Sequence, residues 1–172
     1  MRIEDDIKLD YCDVLIRPKR SELESRKQVN LKRKFQFMNA GRLWEGVPIV
    51  AANMDTTGTI EMARVLGEHD MLTCLSKHVD SFPTDEDYKN SSMIVSFGMN
   101  EQDEASLLSS SESLITREFA MHKDFFCLDV ANGYSQKFID FVKEVRDKWP
   151  EKIIIAGNVV TAEMTEALLL AG

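Results

Sequence analysis

The stretch from Phe125 to Trp149, FFCLDVANGYSQKFIDFVKEVRDKW, decides the fold. Phe125 to Ala131 is a short apolar run with little polar alternation, the pattern of a strand buried on both faces. Asn132-Gly133 is first of all a turn, with glycine able to take positive φ. From Ser135 the period changes. Phe138, Phe141, Val142, Val145 and Trp149 recur at spacings of three and four, while Lys137, Asp140, Lys143, Glu144 and Arg146 fall elsewhere. Ser135 is placed to cap this helix and Pro150 to stop it. A buried strand, a turn and an amphipathic helix make one unit of a parallel α/β sheet.

The same unit recurs on both sides. Strands are predicted at Val47 to Met54, Met71 to Ser76, Met93 to Phe97 and Ile153 to Val159. Helices follow at Gly58 to His69 and, capped by Thr161, through Met164, Leu168 and Leu169 towards Gly172. Between Ser81 and Asn90 the pattern supports a short helix, and Glu104 to Arg117, with the run Ser109-Ser110-Ser111, an irregular one. Residues 1–46 read differently: Arg17-Pro18-Lys19-Arg20 and Lys32-Arg33-Lys34 flank polar sequence of little periodicity, an N-terminal arm rather than a domain. Residues 47–172 hold about five strand-helix units. Repeated alternation without hairpin signals argues for parallel strands with right-handed crossovers, either an open doubly wound sheet or a (β/α)8 barrel. No G-x-G-x-x-G follows the first strand and no P-loop occurs, which favours the barrel. The fold class is α/β, an incomplete barrel, because eight units and about 250 residues are usual for a closed one.

Composition narrows the function. The chain has 172 residues, 44% hydrophobic and 29% charged, enough for one domain with a core. With 21 Lys+Arg against 29 Asp+Glu, net charge −8, its surface has the wrong sign for nucleic acid or an anionic membrane. The start lacks an apolar signal core, and no run approaches the roughly 18 apolar residues of a membrane span, so a soluble, cytoplasmic protein is expected. Cys12, Cys74 and Cys127 form no C-x-x-C, and His69, His78 and His122 have no ligand spacing, so neither a disulfide framework nor a metal site is indicated.

Polar residues gather just after the predicted strands: Asn53-Met54-Asp55, Lys77-His78, Gly98, Asp129 to Gly133 and Gly157-Asn158. Both α/β architectures place their sites there. Lys77 and Asp129 stand out, because from the ends of buried strands they would be close enough for a salt bridge that orients the lysine or shares protons with a substrate. A structural ion pair at the barrel mouth explains them equally well. Cys74 and Cys127 read as small buried hydrophobes, and Cys12 lies in the arm without an activating partner.

Four segments read together carry a resemblance: Asp10-Tyr11-Cys12-Asp13-Val14-Leu15-Ile16-Arg17-Pro18-Lys19-Arg20, Ala51-Ala52-Asn53-Met54-Asp55-Thr56, Leu128-Asp129-Val130-Ala131-Asn132-Gly133-Tyr134-Ser135 and Ala156-Gly157-Asn158-Val159-Val160-Thr161. In this order they resemble the GMP reductases of the IMP dehydrogenase/GMP reductase family. IMP dehydrogenases share the Met54 and Gly157 elements, whereas Ala51-Ala52-Asn53 and Asn132-Gly133-Tyr134-Ser135 favour the reductases. Ser76 stands where the family usually has histidine, and Phe97-Gly98-Met99 replaces a more typical Thr-Gly-Thr.

The resemblance implies a (β/α)8 barrel, usually a homotetramer, that uses NADPH to reduce GMP to IMP with release of ammonia, a step of purine nucleotide interconversion. In that chemistry a cysteine adds to the purine, ammonia leaves a covalent thioimidate, and hydride reduces it. By matching motifs, Ser25, Arg26, Asp129, Val130 and Ala131 are implied cofactor contacts. Lys77 is implied as a cofactor contact joined to Asp129 in a proton network, and Met54 and Asn158 as purine contacts. The family's catalytic cysteine loop, its K+ site and its phosphate loops follow the sixth strand and match nothing in residues 1–172. The chain alone is therefore expected to be inactive. A non-catalytic partner that docks on full-length subunits is the alternative. A Schiff-base lyase using Lys77 is disfavoured, because a neighbouring carboxylate raises a lysine pKa.

Overall fold

The computed structural model describes residues 7, 9–78, 83–108 and 115–172, which divide into two compact units, Met1–Asn30 and Leu31–Gly172. The first unit carries two short 3-10 helices, Tyr11–Asp13 and Arg26–Gln28, capped by the side chains of Asp10 and Ser25.

The second unit opens with an antiparallel hairpin, β1 (Arg33–Phe37) and β2 (Arg42–Gly46), whose turn closes through Gly41 N–H donating to the Met38 carbonyl. This hairpin lies inside the stretch read from sequence as an arm. Its signal is the alternation of Phe35 and Phe37 with polar neighbours, obscured by the basic run Lys32-Arg33-Lys34. Five parallel strands follow in chain order: β3 (Val50–Ala51), β4 (Leu72–Leu75), β5 (Met93–Phe97), β6 (Phe125–Asp129) and β7 (Ile153–Gly157). They curl into part of a (β/α)8 barrel. Helices α1 (Ile60–Gly67), α2 (Asp85–Lys89), α3 (Glu101–Leu108), α4 (Ile115–Met121) and α5 (Gln136–Lys148) make the crossovers, and α6 (Ala162–Ala171) follows β7.

The predicted units recur with shifted boundaries. β5 matches its prediction end to end. The strand predicted at Val47 to Met54 shrinks to two residues, because Pro48 offers no N–H to a ladder and β3, at the sheet edge, has one neighbour only. In place of one irregular helix from Glu104 to Arg117 there are α3 and α4; Ser109-Ser110-Ser111 and Ser81 lie outside the described residues. The caps fall where the sequence puts them: Ser135 Oγ accepts from Phe138 N at 3.2 Å and Thr161 Oγ1 from Met164 N at 3.4 Å.

Strand side chains alternate between two cores, as a period of two requires. Leu75, Val95, Phe97, Phe126 and Leu128 face the helices, where they meet Phe138, Phe141, Val142 and Val145 of α5. Leu72, Cys74, Ile94, Phe125 and Ile153 face the barrel interior, whose floor is closed by Phe37 and Trp44 of the hairpin. Both rings stand edge-on to Phe125, at centroid distances of 5.8 and 6.4 Å. Among the described residues β7 pairs with β6 alone, and beside its other edge a cavity of about 480 Å³ opens between the hairpin turn, β7 and α6. Leu169, which lines it, is 68% exposed.

Candidate functional site at the strand ends

Asp129 is the last residue of β6, and its place in the alternation after Phe125 and Cys127 turns its carboxylate into the barrel. Two amides grip it. Asn53, just past β3, donates from Nδ2 to Asp129 Oδ2 at 2.9 Å, and Asn158, just past β7, donates from Nδ2 to Oδ1 at 3.5 Å and to the Val130 carbonyl at 3.3 Å. The ends of three strands thus converge on one carboxylate.

Lys77, two residues past β4, joins them in a way the charge pattern does not anticipate. Its Nζ donates to the main-chain carbonyl of Asp129 at 3.4 Å, rather than pairing with the carboxylate as the sequence suggested. The carboxylate oxygens already accept amide protons, and the exposed ammonium keeps its other donors towards the barrel mouth. Gly98, past β5, makes room for it: a Cβ there would stand 3.3 Å from Lys77 Nζ and 2.9 Å from Asp103 Oδ2, the oxygen to which Gly98 N–H donates at 2.7 Å. On the other side, Ser76 Oγ donates to Asp55 Oδ1 at 2.8 Å and accepts from His78 N at 3.2 Å, which orders the turn carrying Lys77.

The remaining predicted residues fall around this centre or apart from it. Val130 and Ala131 continue from Asp129 along the mouth, with Val130 N–H donating to the Gly157 carbonyl at 2.8 Å. Met54 is 63% exposed in the loop after β3, where its carbonyl accepts from Thr57 N and Gly58 N. Ser25 and Arg26 belong to the separate unit of residues 1–30, as the cap and first residue of a 3-10 helix. Asn53 was visible only as one of the polar residues at a strand end; its signal was that position, without a reason to prefer it over Asp55.

Neither cysteine of the strands is set up as a nucleophile. Inside the barrel Cys74 Sγ lies 3.2 Å from Ser96 Oγ. The neighbouring Cys74 thiol, together with burial, pushes the Cys127 thiol up, the reverse of activation. Among the described residues, no group of three His, Cys, Asp or Glu side chains is placed to hold a metal ion, and no helix is long and apolar enough to cross a membrane.

The IMP dehydrogenase / GMP reductase domain model matches residues 8–172. The chain is 47% identical over 178 residues to a GMP reductase of Enterobacter sp., covering 100% of this chain and 50% of that one. A GMP reductase of Citrobacter koseri is also 47% identical, over 179 residues with the same coverage. The chain therefore spans about half the length of the curated relatives it matches. Among solved structures, the inosine 5′-monophosphate dehydrogenase of Legionella pneumophila superposes with a TM-score of 0.66 at 25% identity, covering 94% of this chain and 47% of that one. The motifs at the strand ends, the parallel half-barrel and a family match across nearly the whole chain agree, and the chain belongs to the IMP dehydrogenase / GMP reductase family.

Proposed function

We propose that this chain is the cofactor-facing part of a GMP reductase, an oxidoreductase that converts GMP to IMP and ammonia with NADPH. One observation carries the reading: Asp129 and Asn158, from two separate motifs, and Lys77, singled out as a charge at a strand end, meet at the C-terminal ends of β4, β6 and β7. A nicotinamide dinucleotide fits this set, which offers an ammonium, a carboxylate, amide donors and main-chain groups on one rim. Bound there, NADPH supplies hydride. Asp129 and the main chain of Val130 and Ala131 orient it, while Lys77 neutralises negative charge and holds a proton near the reacting atoms. Asn53 fixes the carboxylate so that it does not swing away. Met54 and Asn158 line the purine side. The cysteine that forms the thioimidate in this reaction matches no residue here: Cys74 is buried among the strands and the Cys127 thiol is pushed up rather than activated.

The assignment is tested by titrating the chain with NADPH and following nicotinamide fluorescence. Saturable binding is expected, weakened about ten-fold or more by Asp129→Ala, which removes a charged hydrogen-bonding group, and unaltered by Lys143→Ala on the outer face of α5. Binding that ignores Asp129→Ala removes the cofactor assignment. GMP-dependent NADPH oxidation by the chain alone is expected to be absent. If it occurred and vanished on changing Cys12, Cys74 or Cys127, the cysteine argument would be wrong.

A further inference from the structure

The loops leaving β6 and β7 are tied together by a side chain that the proposed chemistry does not use. Tyr134 lies just before the cap of α5, and its Oη accepts two main-chain N–H bonds from the next loop, Val160 at 2.9 Å and Thr161 at 3.0 Å. Thr161 is itself the cap of α6, its hydroxyl occupied with Met164 N. The Tyr134 main chain is held by its own N–H donating to Asn132 Oδ1 at 3.0 Å. Beneath it the backbones interlock: Asn158 N donates to the Val130 carbonyl at 2.9 Å, and Gly133 N to the Asn158 carbonyl at 3.0 Å. A Cβ on Gly133 would lie 2.8 Å from both Asn158 O and Val159 Cγ1, so the approach is as close as a glycine allows.

This arrangement fixes Asn158 from both sides along the chain. Gly133 and Val130 hold it directly, and Tyr134 stops Val160 and Thr161, two and three residues further on, from lifting away. The β6 loop carries the residues assigned to the cofactor and the β7 loop carries Asn158, assigned to the purine. The ring is therefore a brace between two halves of one site. An apolar contact would not serve, because Val160 and Thr161 N–H precede α6 and have no helical partner of their own.

We propose that Tyr134 is a positioning residue that sets where Asn158 stands relative to Asp129 by clamping the main chain of Val160 and Thr161 through its phenolic oxygen. Calling it positioning rests on the function proposed above; the clamp itself does not. The Thr161 hydroxyl and the two amides favour the phenolate and hold the phenol below its ordinary value, against burial and the Glu163 carboxylate in the first turn of α6. That gives a signature in the unaltered protein.

The experiment is solution NMR of the whole chain, labelled with 15N throughout and with 13C at the tyrosine ring. In the wild type the Tyr134 phenol is expected to titrate below the ordinary tyrosine range, with the Val160 and Thr161 amide signals moving along the same curve. In Tyr134→Phe those two amides are expected to exchange about ten-fold faster, the equivalent of one lost hydrogen bond, and the Asn158 side-chain amide signals to shift, with the interior of α6 unchanged. Amides that ignore the phenol titration overturn the clamp, and this holds even if the variant fails to fold. Asn158 signals that stay in place in a folded Tyr134→Phe reduce the ring to a structural contact. NADPH added to the same samples separates the two claims. A chain that binds no NADPH but shows the clamp counts against the function alone, and one that binds while Asn158 stays in place counts against the positioning alone.

Discussion

The two ends of the parallel sheet treat lysine in opposite ways. At the N-terminal end, Lys123 and Lys152, just ahead of β6 and β7, are swallowed whole. Lys123 Nζ donates to the carbonyls of Asp87, Tyr88 and Asn90 at the end of α2, with the Phe119 ring 4.5 Å away, and Lys152 Nζ donates to the carbonyls of Met121 and Lys123 at 2.7 and 2.8 Å. At the C-terminal end, Lys77 is exposed and touches one carbonyl. Burial pushes Lys123 down to about 8 and lowers Lys152 as well. The buried pair satisfies orphaned helix-end carbonyls and ties one crossover to the next, work that belongs to stability. The exposed lysine leaves its charge available. A barrel divides its labour between a stabilising bottom and a functional top, and here one residue type shows both.

The largest test of this contrast is Lys123→Met, which keeps most of the volume but takes the lysine donor from three carbonyls, of which that of Asp87 keeps the Asn90 N–H. A loss of about 3 kcal/mol in denaturant melts is expected, since each buried group left without a partner costs roughly 1–3 kcal/mol. If the variant melts like the wild type, the bottom of the sheet is not held as described.

Next comes the carboxylate that shares this floor. Asp87, 1% exposed, accepts from Arg64 Nε at 2.9 Å and Nη2 at 2.7 Å, as well as from Thr84 N. The Arg64 guanidinium holds its carboxyl down at about 2, below the ordinary aspartate range. Because the folded value is the lower one, its stabilisation is present above the unfolded value and is lost as pH falls through the folded one. An acid melt should therefore lose on the order of 1–2 kcal/mol between about pH 4 and pH 2, and Asp87→Asn should remove that part of the pH dependence.

At the top, Gly133→Ala should cost about 1–2 kcal/mol, because the new methyl meets the Asn158 carbonyl and one of the two must move. A thermal melt reads the loss, and an unchanged midpoint would mean that the two loops are looser than their hydrogen bonds indicate.

The smallest effect sharpens the comparison most. Lys77→Met should change stability by no more than about 0.5 kcal/mol while weakening NADPH binding. Should it destabilise the chain as much as Lys123→Met, the division between the two ends fails.

Much of this was legible beforehand, for reasons that are local. The apolar runs of β5 and β6, the three-four spacing in α5 and the hydroxyl caps Ser135 and Thr161 are properties of adjacent residues, and they came out within a residue or two. The hairpin of β1 and β2 was not legible, because its partner surface is Phe125, some 80 residues further on. Nor did the sequence distinguish Lys123 and Lys152 from surface lysines. Charge is visible in a sequence, but the carbonyls that accept from it are not.

The site divides along the same line. The sequence by itself determined a parallel strand-helix chain, the strand-end positions of Lys77, Asp129 and Asn158, and the motifs that place the chain in its family, since each depends on residue type and spacing. Only the tertiary structure decided that Asn53 and Asn158 hold the Asp129 carboxylate, that Lys77 meets its carbonyl instead, and that Tyr134 braces the neighbouring loop. Those facts depend on the curl of the sheet, which brings strand ends separated by as many as 105 residues (53 and 158) to hydrogen-bonding distance of one side chain.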